Sequence, residues 1–251
     1  MRIFFLLIFF LCNTTYANTI FESNKLNNID YLKKIKELEN FDFSLYSKNR
    51  IFLMYAYDNI LAGKKDNIQC NKFNPDINKI NVLIHSLKKY DLDFLKKNNV
   101  NYIVLCENLK INNYLAAGFA NSNVSTIILD FAIDKDMTER VIHHEIFHMI
   151  HSNYNTNFLN KSWSNKNNSN FTYKKCTNCG SEYSTELLDE NQGFLTEYSK
   201  FSANEDQAEV FSFWMTNINT INIISKNDII LKNKVDILKK FLNEINFKKN
   251  D

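Results

Sequence analysis

The sequence predicts an α+β protein. Three observations carry the prediction. Apolar stripes at helical spacing occupy both ends of the chain, and an extended section with a hairpin signal lies between them. The composition, 45% hydrophobic and 23% charged over 251 residues, suits a packed core rather than a disordered chain. Gly 4 and Pro 1 exclude collagen-like, Gly/Ser-linker and Pro-rich architectures. Lys plus Arg at 30 against Asp plus Glu at 28 gives a net charge of +2, so no basic field for nucleic acid is implied.

The first element is a targeting signal. Arg2 precedes an unbroken apolar run from Ile3 to Cys12, followed by Asn13-Thr14-Thr15-Tyr16-Ala17. This pattern predicts a secretory signal over residues 1–17, cut after Ala17. The apolar run is far shorter than the roughly 20 residues of a spanning helix, so no stable membrane insertion is expected after cleavage. A periplasmic or secreted protein follows. Removing the signal takes Cys12 and leaves Cys70, Cys106, Cys176 and Cys179, an even set that suits disulfides in an exported protein. Three pairings are open, one being Cys176 with Cys179 and Cys70 with Cys106. A four-cysteine zinc site is the alternative, which an oxidising compartment disfavours.

Residues 18–98 read as a helical region. Leu26, Ile29, Leu32 and Ile35 form one stripe, Arg50 to Ala62 is a second helix stopped at Gly63, and Pro75 opens a third with Ile77, Ile80, Leu83, Ile84 and Leu87 on one face. Residues 99–251 form the second unit. Val100 to Leu105 is a buried strand, and the runs Tyr114–Ala120 and Val124–Ile133 pair about Asn121-Ser122-Asn123. Asp136 opens a helix with Glu139 in a capping-box pattern. Residues 153–193 are polar and read as a long surface excursion. Ser202 or Asn204 starts a helix with Ala208, Phe211, Trp214, Met215 and Ile218 on its buried stripe, and Asp228 caps a last one reaching about Phe247.

The chemistry concentrates in His143-His144-Glu145-Ile146-Phe147-His148-Met149-Ile150-His151. His144-Glu145-Ile146-Phe147-His148 is an HExxH segment. Four residues advance a helix by about 400°, so the two imidazoles project within about 40° of each other, roughly 6 Å apart along the axis. They can share one tetrahedral zinc ion, while Glu145, rotated off that line, can accept a proton from water without ligating. Ile142, Ile146, Met149 and Ile150 form the opposite, buried stripe. His143 and His151 read as surface histidines.

A catalytic zinc needs a third protein ligand and an open position. Asn153, Tyr154, Asn155 and Thr156 follow the motif, so the Gly-and-His extension of the metzincins is absent. A carboxylate from a later helix is expected, and Glu205-Asp206-Gln207-Ala208-Glu209 offers two glutamates one turn apart. Ser202-Ala203-Asn204-Glu205 is also a capping-box pattern, so either Glu205 or Glu209 can be the ligand.

The pattern His144-Glu145-xx-His148, Gly193-Phe194-Leu195-Thr196-Glu197-Tyr198, then Glu205-xx-Ala208-Glu209-Val210-Phe211 resembles the gluzincin-type zinc metallopeptidases. It is closest to the anthrax lethal factor catalytic domain and to the bacterial envelope proteins described as putative zinc-binding metallopeptidases, which Trp163 and Phe171-Thr172-Tyr173 also resemble. The likeness covers roughly residues 99–215. It implies a zincin-like α+β fold: a small mixed sheet with an edge strand over the HExxH helix, expected at Val124–Ile133, and a helical C-terminal part carrying the glutamate. It implies one catalytic zinc ion held by His144, His148 and Glu205, with Glu209 orienting a ligating histidine or serving as the alternative ligand. Glu145 is then the general base acting on a zinc-bound water, and Tyr198 donates a hydrogen bond to the developing oxyanion. The implied function is a zinc-dependent hydrolase, an endopeptidase with peptide or protein substrates. The alternatives are a non-catalytic zinc-containing binding module of the envelope and a metal hydrolase of non-peptide amide bonds.

Overall fold

The computed structural model describes residues 34–38, 43–62, 68–174 and 184–250. The expected signal at 1–17, the stripe at Leu26 to Leu32, Gly63, Cys176 and Cys179 lie outside the described residues. In chain order the elements are β1 (Ile35–Glu37), α1 (Ser44–Lys48), β2 (Phe52–Ala56), β3 (Ile60–Ala62), β4 (Ile68–Asn71), α2 (Ile77–Lys88), α3 (Leu92–Lys97), β5 (Tyr102–Ile111), β6 (Tyr114–Leu115), β7 (Gly118–Asn121), β8 (Thr126–Asp130), α4 (Lys135–Asn153), α5 (Asn157–Ser164), α6 (Ala203–Thr216), α7 (Ile218–Asn227) and α8 (Ile229–Glu244). Short 3-10 turns cover Ser122–Val124 and Tyr198–Lys200.

An open mixed sheet is organised around β5, and the α+β class is borne out. The first half of β5 lies between β2 and β8, parallel to both, with β1 outside β2 and β7 outside β8, each antiparallel. Its second half turns away from β8 and pairs antiparallel with β4 and β6, with β3 beyond β4. The departure has a local cause. Asn108 takes the left-handed conformation (φ 54°), and the buried Asp130 carboxylate accepts the backbone N–H groups of Asn108, Leu109 and Ala132 that the turn frees. A disulfide joins Cys70 on β4 to Cys106 on β5, one of the pairings left open above.

Two expectations about this half are corrected. Arg50 to Ala62 is not a helix but β2 and the start of the β3–β4 hairpin, and Ile35 lies in a strand. Ile51-Phe52-Leu53-Met54-Tyr55-Ala56 is a continuous apolar run, which periodicity cannot assign to a helix or to a strand buried on both faces. The described part of residues 18–98 is therefore mixed, and its strands belong to the same sheet as β5. The strand beside the active helix is also different. Thr126–Asp130 is flanked by β5 and β7, so the edge of the sheet is β7, Gly118–Asn121.

The helices α2 and α4 cover one face of the sheet. The α2 helix begins at Asp76, whose carboxylate accepts the Asn78 N–H, just after Pro75 as expected. The α4 helix is capped by Asp134, which accepts from Met137 N, two residues earlier than the Asp136 start read from sequence. Glu139 is instead drawn to Lys89 on the α2 C-cap (Oε1–Nζ 2.6 Å). Ile142, Ile146, Met149 and Ile150 are buried as expected, but Phe147, His143, His144 and Glu145 are buried too. This helix is central, with sheet on one side and α6 on the other. The α6 helix starts at Ser202, whose hydroxyl accepts the Glu205 N–H, and it buries Ala208, Phe211 and Met215. Its end at Thr216 leaves Ile218 exposed at the start of α7. Asp228 caps α8 by accepting from Leu231 N. The excursion after α4 contains α5, and Trp163 on it is fully buried.

Candidate metal centre

Three side chains from two crossing helices converge. His144 Nε2 lies 3.0 Å from His148 Nε2, and Glu205 Oε2 lies 2.9 Å from the first and 3.2 Å from the second. All three donor atoms fall within 4.8 Å of one another, a geometry that can hold a metal ion. The expected helical spacing places the imidazoles, and the Ser202 cap fixes the first turn of α6 so that Glu205 meets them.

Glu209, one turn further on, is not at this point. Its Oε1 sits 3.0 Å from His144 Nδ1, while its Oε2 accepts from Thr196 Oγ1 (2.9 Å) and Arg140 Nη2 (3.0 Å). The two glutamates therefore divide the histidine, Glu205 on Nε2 and Glu209 on Nδ1. A carboxylate only accepts, so Nδ1 carries a hydrogen, and a neutral ring then points a lone pair from Nε2 at an oxygen and a second imidazole nitrogen. Such a cluster calls for positive charge at its centre. Burial opposes charge on each group, yet hydrogen bonds to Glu205 and Glu209 raise His144 to about 10. Burial likewise pushes the Glu205 carboxyl up, but His148 and His144 outweigh it and hold the group well below the usual carboxylate range. A divalent cation bound by two imidazoles and one carboxylate meets the same demand, so the donor set fits zinc.

Glu145 lies beside this point, buried, with burial raising its pKa. Two features of the edge strand act on it. The Ala120 backbone favours its ionised form against that burial, and a Cβ at Gly118 would stand 2.6 Å from Glu145 Cγ. Only glycine lets the β7 backbone approach so closely. Tyr198 sits on its 3-10 turn with its ring 5.9 Å from that of His144. Burial and then the carboxylates of Glu205, Glu145 and Glu209 raise its pKa, so it remains a neutral hydroxyl.

The remaining histidines are corrected in part. His143 is not at the surface: it is fully buried, with Nδ1 2.6 Å from the Tyr90 hydroxyl. His151 is half-buried against Asn160 Oδ1 (3.0 Å). Sequence reasoning missed Arg140, whose guanidinium stacks on Phe213 (4.0 Å to the ring centroid) and bridges Glu209 to the Thr185 carbonyl. Its position one turn before His144 was the available signal. Also missed was Asp206, next to Glu205 but turned the other way, where Oδ2 accepts from Trp163 Nε1 (2.8 Å), Tyr173 OH (2.6 Å) and Lys234 Nζ (2.8 Å). Lys234 also donates to the Gly193 carbonyl. Trp163 and Tyr173, singled out by resemblance, thus meet at one buried carboxylate, and Gly193 is linked to it through Lys234.

A cleft of about 570 Å³ opens on His144, Glu145 and Tyr198 and runs beneath the β5–β6 hairpin. Among the described residues no helix is long and apolar enough to cross a membrane.

Residues 129–247 match the family described as "Putative zinc-binding metallo-peptidase". Among solved structures, the chain is similar to a protein from Bacteroides caccae described in the same words. The identity is 18%, over 66% of this chain and 67% of that one, with a TM-score of 0.45. No curated protein matches. The family match supports a zinc metallopeptidase family, as the sequence resemblance implied, and it spans α4 and α6 together.

Proposed function

We propose, from a chain whose residues 129–247 carry the zinc metallopeptidase family match, that this protein is an exported zinc-dependent endopeptidase. The observation that carries the reading is the convergence of His144, His148 and Glu205 with the Glu145 carboxylate buried beside them. A module that only held metal would have no use for an acid-base group there. Export accords with the Cys70–Cys106 disulfide, which suits an oxidising compartment.

His144, His148 and Glu205 hold one zinc ion. When bound, it supplies a Lewis acid that makes water a better nucleophile and polarises the carbonyl to be attacked. Glu209 keeps His144 in the tautomer that leaves Nε2 free, and Arg140 and Thr196 keep Glu209 ionised and in place. Glu145 takes the proton from the attacking water and delivers it to the amine nitrogen as the peptide C–N bond breaks. The close approach of the β7 backbone at Gly118 keeps that carboxylate beside the metal site. The Tyr198 hydroxyl donates to the carbonyl oxygen as it gains negative charge. The free edge of β7 pairs with an extended peptide by backbone hydrogen bonds, which aligns the bond to be cut without fixing its sequence.

The test is Glu145→Gln in purified protein with measured metal content. Zinc stoichiometry stays at that of the wild type, and turnover of a mixed peptide library falls by about 10²–10⁴-fold. His148→Ala, assayed beside it, loses the metal. Wild-type turnover by a metal-replete Glu145→Gln protein, or turnover unaffected by chelator, overturns the reading.

A further inference from the structure

The wall of the cleft opposite the HExxH helix is a tight two-stranded hairpin. Ile111 pairs with Tyr114, and the two residues between them, Asn112 and Asn113, both take the left-handed conformation (φ 52° and 70°). These are the dihedral signs of a type I′ turn, which closes a hairpin with no slack. The hairpin is braced from behind, because β4 pairs with the other side of β5 and the Cys70–Cys106 disulfide ties those two strands.

The hairpin leaves apolar side chains in water where they gain nothing for the fold. Tyr114 is 45% and Leu115 64% exposed, and both line the cleft that reaches His144, Glu145 and Tyr198. Across the cleft stand Ile133, Met137 and Val141. Of the charged groups of the lining, His144 and Glu145 belong to the metal centre, and Glu209 is held by His144, Thr196 and Arg140. Asp130 is engaged by three backbone N–H groups, and the two terminal nitrogens of Arg140 are held by Glu209 and the Thr185 carbonyl. At about 570 Å³ the space lies within the roughly 300–1,000 Å³ of sites that enclose a small organic group.

We propose that this hairpin is the specificity-determining wall of the site, with Ile111, Tyr114 and Leu115 receiving a bulky apolar side chain of the substrate next to the bond that is cut. The proposal rests on the peptidase reading for its reaction, and on the apolar cleft for its selectivity. A rigid wall suits such selection, because the ordering of the receiving residues is completed before the peptide arrives.

The experiment uses the full chain loaded with zinc and a set of internally quenched peptides identical except at one position, occupied by Phe, Leu, Ala, Asp or Lys. Phe and Leu peptides are cleaved with kcat/KM roughly 10–200-fold above those with Ala, Asp or Lys. Leu115→Asp and Tyr114→Asp, both at exposed positions and checked by an unchanged thermal midpoint, lower the Phe-to-Ala ratio by about tenfold or more. Fluorescence anisotropy with the Glu145→Gln chain reads binding of the same peptides without turnover, and it gives the same order of affinity. Equal rates for all five peptides, or a Phe-to-Ala ratio unmoved by both substitutions, overturn the proposal. If no peptide is cut but the Phe peptide binds preferentially and Leu115→Asp abolishes that preference, the hydrolase reading fails and the apolar wall stands. If there is neither cleavage nor preferential binding, the wall is refuted as well.

Discussion

Glu205 and Asp206 are neighbours on α6, and each lies in a buried cluster of polar groups, but the clusters are built to opposite ends. Around Asp206 the chain supplies its own countercharge: Lys234 Nζ at 2.8 Å, with Trp163 and Tyr173 donating to the same oxygen and the Gly193 carbonyl accepting from the lysine. Lys234 also lies over the Phe194 ring at 3.8 Å. Around Glu205 the partners are two imidazoles whose lone pairs and protons compete for one space, with Glu145 beside them and Glu209 behind. The first cluster is charge-compensated within the chain and ties α5, α6 and α8 together through one oxygen of Asp206. In the second, the positive charge comes from protons on the imidazoles or from a bound cation that takes their place. One residue's rotation about the helix, about 100°, separates a structural ion pair from the candidate metal centre.

This contrast can be broken at several points. The largest effect belongs to Glu205→Gln, which removes an anionic ligand. Zinc affinity measured by competition with a chelator falls by more than the about 10–100-fold that loss of an orienting partner costs, and turnover goes with it. Lys234→Met acts on the first cluster. It strands the Asp206 charge and lowers the unfolding free energy by about 3–5 kcal/mol in urea titration, while folded protein still binds zinc. Adding Asp206→Asn to that variant restores much of the stability, because the uncompensated charge is gone. If Lys234→Met abolished zinc binding in folded protein, the two clusters would not be separable.

Zinc itself distinguishes them. Metal at about 100 times its dissociation constant stabilises the folded wild type by about 2.7 kcal/mol, and Glu205→Gln loses that gain whereas Lys234→Met keeps it. Glu209→Gln is smaller, about 10–100-fold in zinc affinity, since His144 keeps its position but loses the anion that fixes its tautomer. The smallest effect is that of Gly118→Ala. Its Cβ would overlap the Glu145 side chain, so kcat falls while zinc content stays unchanged, with a stability cost of about 1–3 kcal/mol in thermal melts.

Much of the centre was legible because its information is local. The four-residue spacing of His144 and His148 is a property of any helix, and Ser202 before Glu205 marks a helix start whatever surrounds it. The choice between Glu205 and Glu209 was not legible from spacing or capping, and only the resemblance pointed to Glu205. Both lie on the face of α6 turned to α4, and only the crossing of the two helices puts one on Nε2 and the other on Nδ1. The misreading of Ile51 to Ala56 has a related cause: a strand covered on both faces shows no alternation, so the period that separates strand from helix is erased. The edge strand was misplaced because strand order in a sheet depends on which distant strands pair with β8, and β5 is one of them.

The amino-acid sequence by itself determined the α+β class, the HExxH helix with its paired imidazoles, the hairpin at Asn121, and the starts of α2, α6 and α8, since each follows from spacing or from a cap within a few residues. The tertiary structure alone decided which glutamate meets the imidazoles, that β7 lies outside β8 among the described residues, that His143 is buried, and that Lys234 neutralises Asp206 from 28 positions away. Periodicity and capping act over a turn or two of chain. Coordination, strand order and ion pairing depend on where separate elements cross, and that is set by how the whole core packs.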